Sequence, residues 1–223
     1  ENFAGYWRYR EFLRARRISQ RLPGLAQQAL AGPLAGIVPG TGRFGLADRV
    51  RDKFEFWGRD PLANYLHSIS VVKERDRNAM FSNSLRKQLD GYRAAEVLER
   101  HRANAPVQEG LGLIQYLDFK TYLVDDILTK IDRASMAHSL EVRVPVLDHR
   151  FVEWASAIPP ELKMLVDGEG KYIFKKSLQS RLPHDVLYRK KKGFSVPLAR
   201  WFQGPLRQRV RDMLQSDALC DSD

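Results

Sequence analysis

The run Asp125-Asp126-Ile127-Leu128-Thr129-Lys130-Ile131-Asp132-Arg133 sets acids and bases among apolar residues. On a helix, Asp126 and Lys130 stand one turn apart and share a face, while Asp125 and Asp132 lie two turns apart. Ile127, Leu128 and Ile131 draw part of the segment toward a core, so its charges must pair with one another or face a cleft. An ion-paired helix is the plain account; a substrate-binding acid and base is the chemical one. A second run, Arg189-Lys190-Lys191-Lys192-Gly193-Phe194-Ser195-Val196-Pro197, has four bases followed by Gly-Phe-Ser. It predicts a loop tethered by Phe194 and Pro197, from which a lysine can reach a polyphosphate as a mobile point charge. A solvated basic loop competes with that reading. Gly168-Glu169-Gly170-Lys171 is a turn ahead of an amphipathic helix, and by itself it points to no chemistry.

Other chemistries find no support. The sequence has no Gly-Lys-Thr or Gly-Lys-Ser phosphate loop, no Gly-x-Gly-x-x-Gly and no Gly-x-Ser-x-Gly. Its single cysteine, Cys220, cannot begin a Cys-x-x-Cys zinc site or a disulfide framework, which suits a reducing cytoplasm. His67, His101, His138, His149 and His184 share no metal-ligand spacing, so no metal ligand is assigned. No apolar run reaches the roughly 18 residues of a membrane span. The formal charge of +10 favours polyanions. Arg8, Arg10, Arg14, Arg16, Arg17 and Arg21 crowd one segment beside Tyr6, Trp7 and Tyr9. A basic helical module that binds nucleic acid is therefore a reading from a different class, against which stands an ordinary core helix with solvated arginines.

The elements that must position these residues are mainly helical. Residues 3–22 read as a helix with Tyr6, Tyr9, Phe12 and Leu13 at helical spacing, broken by Pro23-Gly24. The glycines and prolines of residues 31–45 predict a loop, and residues 46–57 a helix. Pro61 starts another, and residues 79–102 hold one or two short ones. Residues 110–139 carry the clearest period near 3.6, which predicts one or two mostly buried helices. Pro145 forces the backbone of residues 141–148 to extend or turn, after which Asp148 caps a helix over Phe151, Val152, Trp154 and Ala155. Short helices follow over residues 171–180 and 205–214. No stretch alternates as a strand does, so the fold class is mainly α.

In order and spacing, several of these segments resemble the synthetase domain of the asparagine synthetase family. They are Asp126 to Ala137, Glu141-Val142-Arg143-Val144-Pro145-Val146-Leu147-Asp148, Pro159-Pro160-Glu161-Leu162-Lys163, Gly170-Lys171, and Lys191-Lys192-Gly193-Phe194-Ser195-Val196-Pro197. Glu1-Asn2-Phe3-Ala4-Gly5-Tyr6 resembles the end of the family's Asp-Glu-x-Phe-x-Gly-Tyr motif. Residues 25–105 carry no recognised motif.

The resemblance implies the helical C-terminal portion of an adenine-nucleotide α-hydrolase-like (ATP-pyrophosphatase) synthetase domain, truncated at its N-terminus. Residues 1–223 would be one partial domain: a first helix over 1–24, a variable helical region over 25–110 and a motif-bearing region over 111–223. It implies ATP and Mg2+ as cofactors, both bound mainly by an N-terminal part, aspartate as substrate and an N-terminal glutaminase domain as partner, with a homodimer left open. Family members join the aspartate side chain to AMP, release pyrophosphate, and let glutamine-derived ammonia displace the AMP. The late basic loop then supplies the catalytic lysine, Lys191, with Lys192 as the alternative, nucleotide-binding cation. Asp126 and Lys130 approach the substrate, together with Glu1. Lys130 stands where some members have arginine. The family's Ser-Gly-Gly-x-Asp-Ser pyrophosphate loop is missing from these 223 residues, as is the Asp ahead of Glu1 that would hold magnesium, so the chain alone is expected to be inactive. Related amidotransferases that act on other carboxylates fit the same residues.

Overall fold

The computed structural model describes residues 2–21, 60–72, 74–165, 169–189 and 196–215. The expected helix over residues 46–57 and the loop over 31–45 lie outside them, as do Glu1, Lys191 and Lys192. Contacts divide the chain into two units, residues 1–178 and residues 179–223. Both are helical, and no strand occurs among the described residues; the nearest approach is an isolated antiparallel bridge between Met164 and Gly170.

In the first unit, α1 runs Trp7–Arg21, α2 Pro61–Ile69, α3 Glu74–Met80, α4 Asn83–Leu89, α5 Ala95–Ala103 and α6 Gly110–Lys120. The core lies where α1, α2, α5 and α6 meet. Tyr9 and Phe12 come from α1, Leu62 and Tyr65 from α2, Leu98 from α5, and Leu111, Leu113, Ile114 and Leu117 from α6. These positions recur at three and four residues, so each helix buries one stripe and leaves the other to charge. Asp60 starts α2, its side chain accepting from the Leu62 and Ala63 amides, with Pro61 supplying the fixed φ of a first turn. The region expected to hold one or two helices over residues 79–102 is cut into three. Ser82 caps α4, and Asp90-Gly91 ends it with both residues at positive φ.

Residues 110–139 depart from the sequence expectation. Only α6 is buried; none of residues 121–140 is. At Thr121 the backbone leaves the helical region (φ −129°, ψ −81°), and Tyr122–Leu128 continues as a wide π-helical turn before α7, Thr129–Met136. The change of period takes the apolar stripe off the buried face of α6. Leu123, Ile127, Leu128 and Ile131 end up half-buried instead of in the core.

The chain then makes a single 3-10 turn at Pro145–Leu147, and the Asp148 side chain accepts from the Arg150 and Phe151 amides to open α8, His149–Ala157. Pro159-Pro160 ends that helix and starts the one-turn α9, Pro160–Lys163. The α10 helix, Tyr172–Leu178, closes the unit. Gly170 lies against the first turn of the chain. A Cβ there would run into the Ala4 carbonyl oxygen, which is backbone and cannot swing aside. Gly170→Ala is therefore expected to cost about 1–3 kcal/mol through overpacking, read as a lower urea midpoint.

The second unit holds α11, His184–Tyr188, α12, Leu198–Gln203, and α13, Arg207–Leu214. His184 stacks on Tyr188 with ring centroids 4.5 Å apart, and Gln179 donates to the Tyr188 hydroxyl at 2.7 Å. The α12–α13 corner turns at Gly204, where the Leu206 amide donates to the Trp201 carbonyl at 2.9 Å.

Candidate functional site

Four segments that the sequence spreads over 170 residues converge on the turn at residues 2–6. Asn2 is buried. Its side-chain amide donates to the Val146 carbonyl at 2.5 Å, so the Pro145 turn is tied to it. Its own carbonyl accepts from Gln115 Nε2 of α6 at 3.1 Å. Lys163, the last residue of α9, donates to Gln115 Oε1 at 3.2 Å and to the Ser156 carbonyl of α8 at 3.3 Å. Finally, the Lys171 amide donates to the Phe3 carbonyl at 2.8 Å. Phe3 fills the space between these strands of contact, stacked on Phe174 at 4.9 Å and edge-on to Phe151 at 6.0 Å.

Lys163 is unusual within this set. It is 3% exposed and has no carboxylate partner among the described residues. Burial lowers its pKa, because a desolvated ammonium is costly. Two oxygens hold it, and through Gln115 they connect α8 and α9 to the backbone of Asn2.

A second buried network lies one helical turn further along α6. Asp118 is 1% exposed and takes three donors: Arg8 at 2.8 Å, and the Tyr9 and Tyr65 hydroxyls. The Arg8 guanidinium also packs on the rings of Tyr6 and Tyr122, 4.1 Å from each centroid. Burial alone would lower the Arg8 pKa, but the Asp118 charge and hydrogen bond outweigh it and hold it above its ordinary value. Both tyrosines are pushed up, first by burial and then by the Asp118 charge.

The two phenols are thus donors that the fold needs protonated. Their folded pKa values lie above the unfolded value of about 10, so their contribution is complete below that pH and is lost as pH rises through it. Lys163 opposes them in the same range: its penalty belongs to the protonated form and disappears as an ordinary lysine would lose its proton. With two phenols against one lysine, the urea midpoint is expected to fall above about pH 10, and Tyr65→Phe to make that fall shallower.

The network also reassigns part of the N-terminal arginine cluster. Arg8 is largely buried against Asp118, Arg14 pairs with Glu11 at 3.1 Å, and Arg16 pairs with Glu109. Carboxylates already occupy these three, which weakens the electrostatic case for nucleic acid along α1. Of the aromatics, Tyr9 is core, while Trp7 is 64% exposed.

Asp126 and Lys130 do share a face, as their spacing predicts. Their side chains pair at 3.5 Å and are 50% and 62% exposed. They lie at the junction of the wide turn and α7. Exposed pairs of this kind contribute little to stability, so the structure gives them no strong packing role. Asp125 is exposed beside them, with no side-chain partner among the described residues. No group of three or more His, Cys, Asp or Glu side chains among the described residues is placed to hold a metal. No helix among them is long and apolar enough to cross a membrane. An open cavity of about 710 Å³, lined by Arg77, Phe81, Arg86, Leu89, Tyr92 and Arg93 among others, shares no residue with the site around Asn2.

The separated motifs thus meet on one turn, and comparison with known proteins gives the family they belong to. A family model for asparagine synthase matches residues 1–222. The chain belongs to the asparagine synthase family. It is 31% identical over 221 residues to asparagine synthetase [glutamine-hydrolyzing] 1 of Bacillus subtilis, covering 96% of this chain and 32% of that protein. The asparagine synthetase of Gallus gallus is 33% identical over 170 residues, 72% of this chain and 29% of the relative. Asparagine synthetase 3 of Bacillus subtilis reaches 48% over 73 residues, a third of this chain and 12% of the relative. The chain spans about a third of the length of the first Bacillus subtilis relative and of the Gallus gallus relative. No solved structure matches it.

The family placement and the mainly helical architecture agree with the sequence reading. What that reading missed is the buried charge. Asp118 follows Leu111 and Ile114 by seven and four residues, on the apolar face of α6, and a carboxylate at such a position is a detectable signal of a buried pair. Arg8, read as one of six solvated arginines, is its partner.

Proposed function

We propose that this chain is the helical part of the synthetase half of a glutamine-dependent asparagine synthetase. The single observation that carries the reading is the joining of residues 2–6, 145–148, 160–163 and 170–171 around Asn2. These are motif segments, and nothing in a plain helical scaffold requires them to meet.

In the proposed reaction the aspartate side-chain carboxylate attacks the α-phosphorus of ATP. Pyrophosphate leaves and β-aspartyl-AMP forms. Ammonia then attacks the acyl carbon, and AMP departs with the electron pair of the broken C–O bond. Negative charge builds on the α-phosphate oxygens in the first step, so a cation aimed there lowers the barrier, and water must be kept from the acyl-adenylate. Lys191 is assigned the cation, with Lys192 as the alternative. Asp126, Lys130 and Glu1 are assigned to the substrate. Magnesium would be held with the nucleotide, mainly by an N-terminal part of the synthetase. The glutaminase partner, a cytoplasmic location and a homodimer belong to the same proposal.

Val124, Met136, Leu140, Val142, Val144, Val146 and Trp154 are exposed apolar side chains within residues 124–154, and they are assigned a docking role. The nucleotide-binding portion of the synthetase is the proposed cover.

The test is made on the protein from its complete reading frame. With ATP, magnesium, aspartate and either glutamine or ammonia, it should form asparagine and pyrophosphate in equal amounts. The 223-residue chain alone, without a Ser-Gly-Gly-x-Asp-Ser sequence, should release none. Absence of asparagine, with another carboxylate consumed in its place, would move the assignment to a different amidotransferase of the same fold.

A further inference from the structure

We propose that the wide turn at Tyr122–Leu128 is a positioning device for the synthetase site, and that Tyr122 and Thr129 are its positioning residues. The inference rests on the synthetase reading above and adds to it what fixes the facing of Asp125 and Asp126.

Wide turns with bonds five residues back are rare, and where they occur inside helices they are frequently at functional sites. This one is built in and held at both ends. At its entry Thr121 leaves the helical backbone region while its hydroxyl donates to the Leu117 carbonyl at 2.8 Å. At its exit the Thr129 amide is shared between the Asp126 carbonyl and the Val124 carbonyl, five residues back, and the Thr129 hydroxyl donates to the Val124 oxygen at 2.8 Å. That carbonyl is thus occupied twice by one residue, a bond pattern that an ordinary four-residue spacing would not make.

Arg8 ties the turn to the rest of the site. It is bonded to Asp118, four residues before Tyr122, and packs on the Tyr122 ring itself. Its grip therefore spans the point where the helix changes period. On its other flank is Tyr6, whose ring meets Tyr122 edge-on at 5.8 Å. Tyr6 ends the turn that begins at Asn2. One largely buried guanidinium so connects the Asn2–Tyr6 turn, α6 and the wide turn.

The consequence is angular. An α-helix advances about 100° per residue, so one residue more or less in the turn re-aims everything after it by that amount. In the register observed, Asp125 and Asp126 are exposed and Asp126 meets Lys130. Val124 is 48% exposed, so its side chain gives the turn little packing. A distortion that leaves its apolar residues only half-buried and exposes two carboxylates is accounted for by what it presents.

Deletion of Val124 separates presentation from packing. It removes the extra residue, lets Thr129 bond at ordinary helical spacing and takes away an exposed side chain. In the complete enzyme, with ammonia as nitrogen donor, the melting temperature should be unchanged or higher. Aspartate-dependent pyrophosphate release should fall by about a hundredfold or more, the scale of a misplaced substrate contact. Tyr122→Leu should raise KM for aspartate several-fold while leaving KM for ATP and the melting temperature near wild type, and Tyr122→Phe, which keeps the ring, should restore both. A ΔVal124 enzyme that keeps wild-type turnover overturns the inference. If ΔVal124 does not fold, the tyrosine pair decides: equal aspartate KM in the Leu and Phe variants overturns it. A wild-type protein with no aspartate-dependent pyrophosphate release overturns the synthetase reading and this inference with it, whereas an active wild type with an indifferent turn overturns this inference alone.

Discussion

Lys191→Ala in the complete enzyme is expected to lower turnover roughly a hundredfold or more, the effect of about 3 kcal/mol of lost transition-state stabilisation. The ammonium is assigned to charge that develops on the α-phosphate during attack. It is felt in the transition state more than in the ground state, so KM for ATP should change far less than kcat. Lys190→Ala is the control. It removes the same charge from the neighbouring position, and a solvated base there should leave turnover near wild type. Single-turnover pyrophosphate release measures the step directly. Small and equal effects at the two positions would mean that the run at residues 189–192 is a solvated basic loop, and the catalytic cation would have to be sought elsewhere.

Asp118→Ala is expected to cost about 3–5 kcal/mol of stability, because it leaves the Arg8 guanidinium buried without its counter-charge. The Tyr9 and Tyr65 hydroxyls lose their acceptor at the same time. The effect should far exceed that of Asp126→Ala. That residue's pair with Lys130 is half exposed, and such pairs contribute at most about 1 kcal/mol. Urea unfolding of the two variants side by side checks both numbers. A double variant, Arg8→Met with Asp118→Leu, removes both charges and should recover much of the loss, as buried pairs replaced by apolar groups commonly do. Stability recovered without activity would assign the pair to positioning the turn at residues 2–6 rather than to holding the core together.

The two networks on α6 share a logic. Gln115 and Asp118 sit one turn apart on a helix whose other buried residues are apolar. Each reaches the first residues of the chain, one through the Asn2 carbonyl and the other through Arg8. Buried polar groups of this kind are costly unless satisfied, so they specify one arrangement of the segments they join. The α6 helix therefore holds the Asn2–Tyr6 turn directly through Gln115 and, by way of Arg8 packed on Tyr6, through Asp118; the Pro145 turn and Lys171 bond to it directly, and α9 reaches it through Gln115.

The sequence by itself determined the helical class, the family and the helix starts at Pro61 and Asp148, because each depends on local pattern. An apolar stripe at three and four residues, a carboxylate just ahead of a first turn and a run of motif residues in order are all legible along the chain. It also determined that Asp126 and Lys130 share a face, since an i, i+4 relation is a property of one helix. Three features needed the tertiary structure. The pairing of Arg8 with Asp118 joins residues 110 positions apart, and nothing in the neighbourhood of Arg8 distinguishes it from the five other arginines of its segment. The wide turn at Tyr122–Leu128 interrupts a stretch whose apolar period continues almost unbroken on paper. Its cause is a clamp by Arg8 from another helix and a doubly occupied carbonyl, and this is why residues expected in the core lie half exposed. The gathering of residues 2–6, 145–148, 160–163 and 170–171 was likewise undetermined until the chain closed on itself. Long-range hydrogen bonds to backbone carbonyls carry no side-chain signature at the accepting end, so Asn2, Val146, Ser156 and Phe3 could be recognised as partners only once they had met.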